Sequence, residues 1–172
     1  SSTSPTWSPD GATLAFATDR DDKRQIYVIG PRGGEARKLT SAEEGAGGFA
    51  WSPDGKTIAY LSTDPKTDAD KEREKTLGEF DVIGEGYRMQ HLWLFDVATR
   101  KAKQITHGKM NDYRSPEWSP DGKYIVVSKG DFGLGPQKLW MFHKNGEQGV
   151  QLIRENPQPP LPPSGTVGAS FV

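Results

Sequence analysis

Trp51-Ser52-Pro53-Asp54-Gly55-Lys56-Thr57-Ile58-Ala59-Tyr60 reads as the end of one strand, a tight turn and the start of a second strand. Proline presets φ for the second position of a turn, and aspartate is favoured beside it. Glycine then takes the left-handed conformation that lets the chain double back. The residues after Gly55 alternate in character and carry β-branched and aromatic side chains, as a half-covered strand does. The same five residues recur as Trp7-Ser8-Pro9-Asp10-Gly11 and Trp118-Ser119-Pro120-Asp121-Gly122. They run on into Thr13-Leu14-Ala15-Phe16 and Tyr124-Ile125-Val126-Val127. Three copies of one strand-turn-strand unit indicate a repeat architecture.

Outward from each copy lie two more strand candidates. The third strand of each unit is Gln25-Ile26-Tyr27-Val28, His91-Leu92-Trp93-Leu94-Phe95 or Lys138-Leu139-Trp140-Met141-Phe142. A polar turn separates it from Ala36-Arg37-Lys38-Leu39-Thr40, Ala102-Lys103-Gln104-Ile105-Thr106 or Val150-Gln151-Leu152-Ile153. Four short antiparallel strands in roughly 44 residues make one propeller blade. The fold expected is therefore all-β, a partial β-propeller of about three four-stranded antiparallel blades. Trp7 and Trp51 lie 44 residues apart and Trp51 and Trp118 lie 67 apart, so the second blade carries a charged insertion. The expected divisions are blade 1 over 1–44, blade 2 over 45–110 with the insertion at 64–90, and blade 3 over 111–153. A proline-rich linker and the start of a further blade follow over 154–172.

Composition agrees with a turn-rich globular chain. Twenty glycines and 13 prolines occur in 172 residues, only 33% of residues are hydrophobic, and 10% are aromatic. A net charge of −1 lacks the basic footprint of a nucleic-acid binder. No apolar run is long enough for a membrane span. Ser1 to Pro5 run straight into the first repeat, which suggests a processing site or an engineered boundary. The absence of cysteine removes disulfides, thiolate catalysis and cysteine metal sites, but leaves a soluble protein of either cytoplasm or periplasm open.

The repeat residues Trp7, Asp10, Gly11, Trp51, Asp54, Gly55, Trp118, Asp121 and Gly122 are read as structural. The indoles are expected to pack between blades rather than stack on a ligand, and the aspartates to serve turns rather than a metal. No catalytic residue, metal site or cofactor is expected. There is no Gly-x-Ser-x-Gly elbow, and His91, His107 and His143 form no zinc pattern. Gly130-Asp131-Phe132-Gly133 stands without the other kinase motifs, and Gly133-Leu134-Gly135 has no helix after it to cradle a phosphate. Within the insertion, Asp64 to Lys75 reads as a short solvated helix with Thr67 as N-cap and Asp70 and Arg73 at pairing distance. Gly78 to Met89 reads as an extra strand or hairpin at the rim. Its Tyr87 and Arg88 are the binding candidates, Arg88 holding a carboxylate or peptide carbonyl, or else fixing the insertion to its blade.

The Trp-Ser-Pro-Asp-Gly-Lys-x-Ile-Ala-Tyr signature resembles the WD40-like repeat of TolB-type propellers over nearly the whole chain. Ser62-Thr63-Asp64-Pro65-Lys66-Thr67 and Tyr87-Arg88-Met89-Gln90-His91-Leu92-Trp93-Leu94-Phe95-Asp96-Val97-Ala98-Thr99 resemble the propeller domain of prolyl oligopeptidase-family serine peptidases, in the acylaminoacyl and dipeptidyl peptidase branch. That resemblance implies a non-catalytic propeller that gates or orients peptide substrates for an α/β-hydrolase domain outside this chain, with none of the triad here. The third blade, through Ser128-Lys129-Gly130-Asp131 and Lys138 to Gly146, is similar to propellers that precede metal-dependent amidohydrolase domains. A TolB-like protein-interaction propeller is the remaining reading.

Three blades leave two apolar faces without neighbours. The partners expected are the remaining blades of a longer polypeptide, or a second copy closing a six-bladed ring. An open or designed three-blade wedge is the third possibility. A hydrolase domain and a peptide substrate are the further partners the resemblance implies, with no nucleic acid and no membrane span.

Overall fold

The computed structural model describes residues 2–77, 89–108, 112–130, 138–146 and 148–152, without the side chains of residues 70, 73, 74 and 77. Three four-stranded antiparallel sheets, with the turns and connectors between them, organise these residues. The first contains β1 (Ser2–Trp7), β2 (Leu14–Asp21), β3 (Lys23–Ile29) and β4 (Arg37–Lys38). The second contains β5 (Phe49–Trp51), β6 (Thr57–Thr63), β7 (Gln90–Asp96) and β8 (Lys101–Gln104). The third contains β9 (Asp112–Trp118), β10 (Tyr124–Gly130), β11 (Lys138–His143) and β12 (Val150–Gln151). Strands pair in simple sequence order in each sheet, which is the meander of a propeller blade. The outermost strands are shorter than their sequence suggests. In the first and third blades only Arg37–Lys38 and Val150–Gln151 pair, whereas β8 pairs over all four of its residues.

The Ser-Pro-Asp-Gly turn is built identically three times. In the second blade, the Gly55 amide donates to the Ser52 carbonyl at 2.9 Å and the Ser52 amide to the Thr57 carbonyl at 2.8 Å. The Ser52 hydroxyl donates to Asp54 Oδ1 at 2.6 Å and accepts from the Thr57 amide at 2.9 Å. Asp54 Oδ1 also accepts from the Lys56 amide at 3.1 Å. The glycines sit at φ of +68°, +67° and +66° for Gly11, Gly55 and Gly122, where any other residue is strained. These turns stack from blade to blade. A Cβ on Gly55 would lie 3.6 Å from Pro9 Cδ, and one on Gly122 would lie 3.6 Å from Pro53 Cδ.

Register decides which face meets which neighbour. Ala15, Ile26, Val28 and Leu39 of the first sheet pack on Ile58, Tyr60 and Phe95 of the second. The opposite face of the second sheet, Ala59, Leu61, Leu92, Leu94 and Ile105, packs on Tyr113, Ile125, Val127 and Phe142 of the third. Successive side chains alternate between faces, so each blade gives a small or aliphatic surface to the next and receives it on a larger, more aromatic one. The connector between the first two sheets bonds to both: the Ala46 amide donates to the Arg24 carbonyl, and the Gly47 amide to the Leu61 carbonyl, each at 2.6 Å.

The insertion leaves the second sheet between β6 and β7. It begins with helix α1 (Asp68–Leu77), and Thr67 stands immediately before it. Lys71 lies 3.7 Å from Asp68, and Lys75 lies 3.8 Å from Glu72, one turn apart along a solvated helix. The side chains of the expected Asp70–Arg73 pair are not described, and residues 78–88 of the expected rim strand or hairpin, the Asp131-Phe132-Gly133 triplet and the proline-rich tail lie outside the described residues. No helix among the described residues is long and apolar enough to cross a membrane.

Candidate functional site

Tyr87 and Arg88 also lie outside the described residues, but the place where their segment returns to the blade is on view. His91 in β7 is fully buried, with Nδ1 3.3 Å from the Thr106 hydroxyl and Nε2 3.2 Å from Asp64 Oδ2. The Asp64 amide donates to the Met89 carbonyl at 3.1 Å, which ties the two ends of the insertion together. Ser62 stands opposite His91 in the ladder, so a serine, a histidine and an aspartate meet at the insertion's root. They are not a nucleophile, base and acid in relay. The Ser62 hydroxyl donates to the Gly45 carbonyl at 2.7 Å instead of to His91, and the imidazole is closed to solvent. This cluster fastens a loop. Ser62 and His91 were invisible as partners in the sequence because 29 residues separate them; the cross-strand register alone brings them together.

The three repeat tryptophans occupy one position in three different environments. Trp51 packs against the cluster between the first two blades and Trp118 against the cluster between the second and third. The Trp118 indole N–H donates to the Ala50 carbonyl of the preceding blade at 3.2 Å. Trp7, with no blade before it among the described residues, is 52% exposed, and the space beside Gly11 is open. The far end shows the converse. Leu139 matches Ile26 and Leu92 in register, and Leu152 matches Leu39 and Ile105 in its backbone bond to β11. Ile26 and Leu92 are 0% exposed whereas Leu139 is 37% exposed. Leu152 is 45% exposed where Leu39 and Ile105 are 6% and 5%. At both end faces, positions that are covered between blades elsewhere are exposed.

The turn aspartates Asp10, Asp54 and Asp121 are each held below the usual carboxylate range, first by the serine hydroxyl two residues earlier and then by a backbone amide. Those bonds use the carboxylates within their own turns. Among the described residues no group of three or more histidine, cysteine or acidic side chains is placed to hold a metal. A cavity of about 290 Å³ lies in the seam between the first and second blades, walled by Tyr60, Trp93 and Phe95 with Glu43, Glu44 and Arg100 around it. Burial pushes the Tyr60 phenol up to about 12.

Meandering four-stranded sheets with a repeated Trp-Ser-Pro-Asp-Gly turn, packed face to face, define a partial β-propeller. Comparison with known proteins finds likeness to peptidases as well as to TolB. It is 38% identical over 142 residues, 74% of its length, to the uncharacterized peptidase YuxL of Bacillus subtilis. That match spans about a fifth (22%) of the relative's own length. The putative TolB of Agrobacterium tumefaciens superposes with a TM-score of 0.63 at 21% identity, over 88% of this chain and 50% of that one. The acylaminoacyl peptidase of Pyrococcus horikoshii superposes with a TM-score of 0.61 at 18% identity, over 89% of this chain and 25% of that one. No family model matches.

Proposed function

We propose that this chain is the non-catalytic propeller segment of a larger peptidase, gating or orienting peptide substrates for a serine peptidase domain of α/β-hydrolase type outside these residues. The observation that carries this reading is the 38% identity to a bacterial peptidase over most of the chain but only about a fifth of the relative. The interrupted interfaces at Trp7 and at Leu139 with Leu152 support it, because each repeats a contact that another blade covers elsewhere in the chain. In this reading the blades divide near 44/45 and 110/111, further blades of the same polypeptide cover both ends, and Tyr87 and Arg88 contact the substrate from the insertion. The rigid sheets hold the insertion over an opening while the chemistry proceeds elsewhere.

A fluorophosphonate probe tests it. The 172-residue chain should not label, the longer polypeptide should label at one serine, and removing the propeller should abolish discrimination by peptide length. Labelling of a serine within this chain, or a longer polypeptide that never labels, would refute the proposal. The likeness to TolB favours a second reading, an interaction propeller that binds a partner protein, and the unlabelled outcome would point to it.

A further inference from the structure

Tyr27, Trp93 and Trp140 hold one position in three blades, each on the third strand and facing back toward the preceding blade. In the first blade the Arg20 guanidinium stands 4.7 Å from the Tyr27 ring centre. In the third, the Lys129 ammonium stands 4.1 Å from the Trp140 ring centre. The first and third blades thus each place a cation of their own on this aromatic face, where the ring quadrupole attracts it. The second blade does not. Counting from its turn, Asp64 stands where the first blade has Arg20, and Ser62 stands where the third has Lys129. No cation lies over Trp93 among the described residues. In its place is the seam cavity, in which Trp93 stacks with Tyr60 at 6.4 Å between ring centres.

We infer that this cavity takes the cationic side chain, lysine or arginine, of a bound peptide. The walls Tyr60, Trp93 and Phe95 suit an aliphatic stem and its charged head. Glu43 at the mouth is exposed and makes no ion pair among the described residues, so its carboxylate is available to a ligand. Glu44 is 3.0 Å from Lys23 and contributes less. Arg100 would oppose a cation, but its Nη2 donates to the Lys38 and Leu39 carbonyls at 3.0 and 3.3 Å, which turns the guanidinium toward the first blade. The volume is near the lower limit for a small-ligand site and suits a single long side chain. Ala102, on the cavity wall, belongs to β8, the end strand of its sheet, whose outer edge pairs with no strand among the described residues, so a peptide main chain could lie along it.

This inference deepens the peptide-handling reading above, and its test is independent of any hydrolase domain. The intact protein is titrated with acetyl-Ala-Lys-Ala-amide and with its norleucine counterpart, which keeps the stem and lacks the charge. The readout is the indole N–H resonance of Trp93, assigned by its loss in Trp93→Phe. The lysine peptide should shift that resonance saturably with a dissociation constant on the order of 1 mM or below. The norleucine peptide should bind at least about tenfold more weakly, and Glu43→Gln should weaken lysine binding about threefold or more without altering the unfolding midpoint. Equal binding of the two peptides, no saturable shift, or no effect of Glu43→Gln would overturn the inference. Lysine binding by a protein that never labels with a serine probe would sink the peptidase reading and leave this one standing.

Discussion

Leu92→Ala and Leu139→Ala remove the same side chain from the same ladder position in adjacent blades, and their costs should differ severalfold. Leu92 is fully buried between Leu61, Leu94 and the third blade, where truncation leaves a cavity that rigid sheets cannot collapse. Such a change costs about 2–5 kcal/mol. Leu139 pairs with Ser128 and is 37% exposed, so water already reaches it and no closed cavity forms. Its truncation should cost about 1 kcal/mol. Ile26→Ala, at the covered position in the first blade, should behave like Leu92→Ala. The measurement is urea unfolding of the 172-residue chain at two protein concentrations, comparing midpoints at unchanged slope. In a longer polypeptide that supplies the next blade, the Leu139→Ala cost should rise to that of Leu92→Ala. A midpoint that rises with protein concentration in the parent, and a Leu139→Ala penalty that grows with it, would identify a second copy as the cover. Equal penalties for the two leucines in the short chain, independent of concentration, would refute the account of the open face.

The turns yield further expectations. Gly55→Ala should cost about 1–2 kcal/mol from its φ of +67° alone, since the Pro9 contact at 3.6 Å is ordinary, with Gly55→Asn costing less; thermal unfolding of the pair checks this. Ser52→Ala should cost about 1–3 kcal/mol by leaving the Thr57 amide without its side-chain acceptor, read by the same method. Asp54, with Asp10 and Asp121, has a folded-state pKa below the unfolded value near 3.8, so its contribution is present above that pH and lost as pH falls through the folded value. Acid unfolding of Asp54→Asn should therefore show a flatter dependence below pH 4 than the parent. Tyr60 behaves oppositely: with its phenol pushed up to about 12, its contribution is complete below the unfolded value of 10.0 and is lost as pH rises toward 12. Tyr60→Phe should flatten the alkaline loss of stability between those values, and ultraviolet titration should show late tyrosine ionisation, raised at Tyr60, Tyr27 and Tyr113, part of which is lost in Tyr60→Phe.

The sequence by itself determined the blade. Every bond of the Ser-Pro-Asp-Gly turn closes within six residues, and the alternation after it sorts side chains onto two faces without reference to anything distant. The insertion was legible for the same reason, as excess length between two strands that pair directly, Thr63 with Gln90. Tertiary structure alone decided what each repeated residue does. Trp7, Trp51 and Trp118 are identical in local sequence, yet one is half exposed and two are packed, because exposure depends on whether a blade stands in front. The His91–Asp64 contact depends on strand register across the insertion, and the lack of a cation over Trp93 among the described residues is hidden in the sequence because the other blades reach their own rings from different offsets, Arg20 in one and Lys129 in another. Local chemistry sets the conformation of a short segment; burial, pairing and vacancy belong to its neighbours, which a linear pattern does not contain.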